Sequence, residues 1–137
     1  MKYYLAVWKK FADFSGRARR KEYWMFFLFS ILAYLVAMGI DYSLGTGFKA
    51  PSEYGEIKLP YGYIFALYAV ASLVPSLAVT VRRLHDVGKS GWFYFISLIP
   101  LIGSIWLLVL VLTDSQPETN KWGPNPKRLT SEPEITY

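Results

Sequence analysis

The chain has 137 residues, the size of one domain, and 15 lysines and arginines against 10 acidic residues give it a net charge of +5. Apolar residues make up 53% and charged residues only 18%, a balance that excludes a disordered chain and is poor in charge for a water-soluble domain. With no cysteine and a single histidine, His85, the sequence excludes a disulfide framework, a thiolate zinc site and a multi-histidine metal centre, and no cofactor is expected.

At the start of the chain, Tyr3, Tyr4, Val7, Trp8 and Phe11 recur at spacings of three and four, with Lys2, Lys9 and Lys10 elsewhere. That pattern predicts a short amphipathic helix over 1–13 lying on an anionic leaflet. Phe14-Ser15-Gly16 then separates it from the first of three uncharged runs, 23–40, 61–81 and 91–113. At about 1.5 Å per residue, helices of these lengths measure about 27–34 Å, against a hydrocarbon core of about 30 Å. None carries the polar stripe of a soluble surface helix, and so short a chain cannot wrap three apolar helices in polar ones. The expected fold is an all-α integral membrane protein, with three transmembrane helices preceded by the interfacial helix in a single membrane domain. The first run is longer than a signal-peptide core and two more runs follow it, so it is read as an uncleaved span. The connections are an external loop at 41–60, a cytoplasmic loop at 82–90 and a polar tail at 114–137.

Tyr23 and Trp24, Tyr61 and Tyr63, and Trp92, Phe93 and Tyr94 mark the beginnings of the runs with the amphipathic rings favoured in the headgroup layer. Pro75 and Pro100, the latter followed by Gly103 and Ser104, predict kinks. Ser72, Ser76 and Thr80 place small hydroxylated residues on one face of the second helix, for contact with another helix or with a second copy. Lysine and arginine crowd the segment before the first helix and the short connection at 82–90, which places both in the cytoplasm. Three crossings then put the tail outside; a turn back at Pro100 and Gly103, making the third run re-entrant, would leave the tail in the cytoplasm.

Two basic stretches carry the most information. One runs Phe14-Ser15-Gly16-Arg17-Ala18-Arg19-Arg20-Lys21-Glu22-Tyr23-Trp24, the other Arg82-Arg83-Leu84-His85-Asp86-Val87-Gly88-Lys89-Ser90-Gly91-Trp92. Together they resemble the paired signatures of the YhaH-type bacterial inner-membrane proteins, a family of unknown function. The resemblance extends from Phe14 to Pro126, and Asn120-Lys121-Trp122-Gly123-Pro124-Asn125-Pro126 is similar to the family's tail motif. It implies a multi-pass protein of the bacterial inner membrane and brings no known activity.

Read physically, the two stretches bring a group of cations to one membrane surface. Arg17, Arg19 and Arg20 come from the first, and Arg82, Arg83 and Lys89 from the second, with His85 and Asp86 among them. Arginine forks match phosphate geometry, so these eight residues are the candidate site for an anionic phospholipid or a membrane-protein partner, which includes a second copy of the chain. The plain alternative is that the charges set topology and pair with Glu22 and Asp86. His85 beside Asp86 invites an enzyme reading, but adjacent residues do not face each other and no nucleophile motif accompanies them. A channel or transporter is the further alternative; the second and third helices carry no ionisable residue to point to one, and with only three helices any pore would need an oligomer. Nucleic acid is not an expected partner, because the positive charge lies against the bilayer. The expectation is a non-catalytic membrane protein.

Overall fold

The computed structural model describes residues 1–130. Four α-helices dominate it: α1 (Lys2–Lys9), α2 (Arg20–Leu44), α3 (Tyr63–Asp86) and α4 (Ile102–Leu112). A 3₁₀ helix (Gly91–Leu98) precedes α4, and strands β1 (Gly47–Ser52) and β2 (Gly55–Gly62) lie between α2 and α3.

α2 and α3 form an antiparallel pair and are the two helices among the described residues long and apolar enough to cross a membrane. The most apolar window of each is only 17% and 28% buried by protein, which separates them from the core helices of a soluble domain. Leu28, Ile31, Leu32 and Leu35 on α2, and Leu67, Val70 and Leu73 on α3, remain exposed. So much apolar surface is stable only against something other than water. Where the pair touches, hydroxyls supply the contact: Tyr34 Oη and Ser72 Oγ lie 2.8 Å apart. The small-residue face of the second helix thus packs on the first.

α1 sets Val7, which is fully buried, into a cluster with Ala18, Phe26 and Val79, while Tyr4 stacks on Phe26 at 5.6 Å. The Tyr4 hydroxyl lies 3.1 Å from that of Tyr68 on α3. The amphipathic face predicted for the N-terminus is therefore spent on α2 and α3, while Lys9 and Lys10 are exposed.

Two expectations are corrected. The first is the all-α class: β1 and β2 pair antiparallel, with Ser52 opposite Gly55 and Gly47 opposite Gly62. Ile57, Leu59 and Tyr61 alternate with Glu56 and Lys58 at the period of a strand, and a hairpin satisfies backbone groups that an open loop would leave to water. Asp41, fully buried in the last turn of α2, ties this hairpin to α3. Its carboxylate accepts from the backbone N–H groups of Gly62 (3.0 Å), Ile64 (3.1 Å) and Phe65 (2.9 Å) and from the Thr46 hydroxyl (2.6 Å). It thus caps the N-terminus of α3 from a neighbouring helix, where both the orphan donors and the helix dipole favour an anion.

The second correction concerns the third transmembrane helix expected over 91–113. The run is broken into the 3₁₀ helix and α4 by a reversal at Ile99-Pro100-Leu101. Leu101 has φ 64° and ψ −64°, and the N–H of Ile102 donates to the Pro100 carbonyl at 2.7 Å, which together define a γ-turn of the positive-φ kind. Gly103 lets the two limbs meet, because a Cβ at that position would overlap the Ile96 carbonyl oxygen. At about 2.0 Å and 1.5 Å per residue the limbs are each about 16 Å long, half of a hydrocarbon core. Both ends of the run accordingly lie beside the C-terminal end of α3.

Candidate functional site

The end of α3 collects the two basic stretches and the start of the tail around one carboxylate. Asp86 is fully buried. Its Oδ1 accepts from Arg17 Nε at 3.0 Å, and its Oδ2 accepts from Arg83 Nη1 and from the Ser115 hydroxyl, the latter at 2.6 Å. An ionised carboxylate can be buried only when charge and lone pairs are both answered, and here two guanidinium groups and a hydroxyl answer them.

Arg17 has a side chain only 1% exposed. Besides the bond to Asp86, its Nη1 donates to the carbonyls of Glu118 (2.8 Å) and Gly123 (3.2 Å). Its Nη2 donates to the carbonyls of Asp86 (3.3 Å) and Gln116 (2.7 Å). All five N–H donors of a guanidinium are thereby used. Arg83, with a fully buried side chain, gives Nε to the Val111 carbonyl at 3.1 Å and Nη2 to that of Thr113. Its Nη1 is shared between Asp86 and the Ala18 carbonyl, 3.3 Å away. Ala18 N–H in turn donates to the Arg82 carbonyl at 3.0 Å, which holds the chain before α2 against α3.

The other predicted residues lie around this junction. Arg82 is buried with its Nη2 3.7 Å from a Glu22 carboxylate oxygen, and neither its Nε nor its Nη2 makes a hydrogen bond. Arg19 is the N-cap residue of α2, with extended backbone. Arg20 is 45% exposed and reaches Asp114 at 3.4 Å and the Leu112 carbonyl at 3.1 Å. Lys127 also bonds to Asp114 and holds its carboxyl below the usual carboxylate range. Lys89 is exposed, with Nζ 5.4 Å from the centre of the Phe93 ring. His85 stacks on Trp122 with 4.4 Å between ring centres and 10° between planes, and its Nδ1 lies 3.2 Å from the Gly16 carbonyl oxygen.

The structure therefore brings the two stretches together and turns Arg17 and Arg83 inward, onto Asp86 and backbone carbonyls. Sequence reasoning missed the tail's share: Ser115, Gln116 and Asn120 are as much part of the junction as the arginines. Asn120 donates to the His85 carbonyl at 2.9 Å, and the N–H of Gln116 donates to that of Asp86 at 3.0 Å. The available signal was the tail motif itself, whose Trp122 and Asn120 both end on His85. Gly88 marks the crossing point: its φ is 76°, and any Cβ there would strike the Gln116 side chain.

Beside the junction lies an apolar cavity of about 490 Å³. Leu77, Val81 and His85 line it along α3, and Ser90, Trp92 and Phe95 line it from the 3₁₀ limb, with Phe14 at the side.

These features define a mostly helical protein with two helices of membrane-spanning length, a folded-back apolar hairpin and a cationic end. Residues 11–124 match the family described as "Protein of unknown function (DUF805)". The chain is 39% identical over 127 residues to inner membrane protein YhaI of Escherichia coli (strain K12), covering 93% of this chain and 97% of that protein. It is 40% identical over 129 residues to inner membrane protein YhaH of the same organism, covering 93% and 98%. No solved structure matches it. The chain belongs to the DUF805 family, and with such relatives its exposed apolar helices are those of a bacterial inner-membrane protein.

Proposed function

We propose that this is a non-catalytic inner-membrane protein that crosses the bilayer twice, through α2 and α3, and inserts 91–112 as a re-entrant hairpin from the cytoplasmic side. The N-terminus and the tail then both lie in the cytoplasm, where the exposed cations engage the anionic leaflet. The observation that carries this reading is the hydrogen-bonding of Arg17. A residue before α2 bonds at once to Asp86 at the end of α3 and to three tail carbonyls, so all three segments share one side. The positive-inside rule assigns that side to the cytoplasm. The hairpin's limbs are too short to cross, and they pack on each other where Gly103 meets the Ile96 carbonyl.

The leaflet contact falls to Lys9, Lys10, Arg20 and Lys21, which are exposed, rather than to Arg17 and Arg83, whose donors are taken. Basic side chains near an anionic surface contribute about 1 kcal/mol each, enough for four to hold α1 and the start of α2 against the headgroups. Support for the non-catalytic reading comes from Asp86, which is turned to Arg17 and Arg83 and does not orient His85 as a base.

A chain without cysteine makes the test direct. Single cysteines at Ser15, Glu53 and Thr119 are treated with a membrane-impermeant maleimide on intact spheroplasts and after permeabilisation. Labelling of position 53 alone on intact cells, with 15 and 119 labelled only after permeabilisation, is expected. Labelling of 119 from outside would refute the re-entrant hairpin.

A further inference from the structure

The cavity beside the junction has the polarity and the direction of a lipid in the inner leaflet. Leu77, Val81 and His85 stand four residues apart on one face of α3 and form a wall about 12 Å long at 1.5 Å per residue. The wall is apolar toward the interior of the membrane and polar at the cytoplasmic end, where His85 faces Ser90. Trp92, 78% exposed, and Phe95, 53% exposed, form the opposite wall, so the groove is open along its side rather than sealed. Its volume of about 490 Å³ falls within the range of about 300–1,000 Å³ in which small molecules are held.

The charge at the polar end is positive. Lys89 is exposed next to Ser90, and Lys121 lies over the Trp122 ring at 4.3 Å, which in turn covers His85. Arg17 and Asp86 add no open charge, because they are consumed by each other and by the tail. An occupant must therefore combine an apolar chain running up α3 with an anionic head at the cytoplasmic surface.

We infer that the groove between α3 and the 3₁₀ limb is a binding site for one acyl chain of an anionic phospholipid, with the phosphate held at Ser90, Lys89 and Lys121. The site rests on the re-entrant placement of 91–112 proposed above and differs from the general leaflet contact of Lys9, Lys10, Arg20 and Lys21. One docked lipid would fill the space beside the 3₁₀ limb, where the broken hairpin leaves α3 uncovered.

The test uses the whole protein in nanodiscs of phosphatidylcholine containing a small fraction of phosphatidylglycerol with a photoactivatable diazirine in one acyl chain. After illumination the labelled residues are mapped by mass spectrometry. Labelling concentrated on Leu77, Val81, Trp92 and Phe95 is expected, together with competition by unlabelled phosphatidylglycerol and not by further phosphatidylcholine. Val81→Trp, which fills the groove, is expected to lower this labelling about tenfold, the effect of denying about two methylenes their burial. The joint variant Lys89→Gln/Lys121→Gln is expected to abolish the preference for phosphatidylglycerol. Lys9→Gln/Lys10→Gln, which weakens the general leaflet contact away from the groove, is expected to leave the labelling map unchanged.

Labelling spread evenly over the exposed faces of α2, α3 and α4 in the wild-type protein would overturn the inference without any variant, as would equal competition by the two lipids. If the cysteine experiment placed 119 outside, Lys121 would lie across the bilayer from Lys89 and Ser90 and the site would fall with the topology; 119 inside with evenly spread labelling would overturn the lipid site alone. Wild-type elution and helix content are required of each variant before its labelling is compared.

Discussion

Replacing Arg17 by lysine separates two roles that charge counting cannot tell apart. If Arg17 only sets orientation or attracts lipid, Arg17→Lys keeps the charge and changes little. If it is the latch its hydrogen bonds describe, lysine fails, because a point ammonium with three donors cannot reproduce five bonds in the fixed plane of a guanidinium. At least two acceptors are then left without Arg17. A hydrogen bond to a charged group is worth about 1.5–3 kcal/mol, and the Gln116 and Glu118 carbonyls lie at an exposed rim where water can substitute, so the lower end applies to them. The loss is thus about 2–3 kcal/mol in docking residues 113–123 onto α3, or roughly 30- to 150-fold in the docking equilibrium.

Hydrogen exchange of the purified protein followed by mass spectrometry reads this directly. Gln116, Asn120 and Gly123 donate N–H groups within the junction, and exchange through local opening follows the docking equilibrium. Peptides over 113–123 should therefore exchange about 30- to 150-fold faster in Arg17→Lys, with α2 unchanged. Arg20→Lys serves as the control, because an exposed ion pair with Asp114 is worth at most about 1 kcal/mol. Tail exchange in Arg17→Lys no faster than in Arg20→Lys would refute the latch and return Arg17 to the role of a topological charge.

Two further perturbations test the other ends of the fold. Asp41→Ala strips a buried cap from α3 together with its bonds to Gly62 and Thr46, so a loss at or above the upper end of the usual capping range, about 2 kcal/mol or more, is expected in detergent unfolding; a change below about 0.5 kcal/mol would show that the cap is not needed. Leu101→Gly should raise stability by roughly 1 kcal/mol or leave it unchanged, because glycine adopts φ 64° without the Cβ clash, whereas clear destabilisation would mean that the leucine side chain matters more than the turn.

Much of this architecture was legible before any coordinates. The two long apolar helices follow from uncharged runs that match the thickness of a bilayer. The amphipathic N-terminal segment follows from Tyr4, Val7 and Trp8 at helical spacing, although the same spacing does not say whether that face meets lipid or, as found, Phe26 and Val79. The hairpin at 47–62 is hard to see in the sequence because its alternation is short and is interrupted by turn residues such as Gly55 and Pro60. The role of Asp41 was hidden for a different reason: a cap supplied across a loop of some twenty residues leaves no local motif. The candidate cations come together at one end, but composition cannot report which donors are already engaged, and that distinguishes the buried Arg17 and Arg83 from the exposed Lys89.

The third apolar run illustrates why hydropathy and charge together were still insufficient. A window over 91–113 sums apolar residues and is indifferent to direction, so a hairpin of two half-length limbs scores like one full span. The proposed re-entrant direction rests on the end of α4. Its last carbonyls have no partner inside the helix, and those of Val111, Leu112 and Thr113 accept from Arg83 Nε, Arg20 Nη1 and Arg83 Nη2. The arginines that cap α4 come from the end of α3 and the start of α2, and their charge also suits the negative end of the α4 dipole. A spanning third helix would carry these carbonyls to the far side of the bilayer. It would leave Arg83 buried against Asp86 with two donors unanswered, a cost that the apolar gain from crossing does not repay, because the folded-back limbs keep their side chains in lipid as well. On the re-entrant reading proposed above, the second basic stretch would act on the topology of the segment that follows it by hydrogen bonding, in addition to any bias its charge imposes.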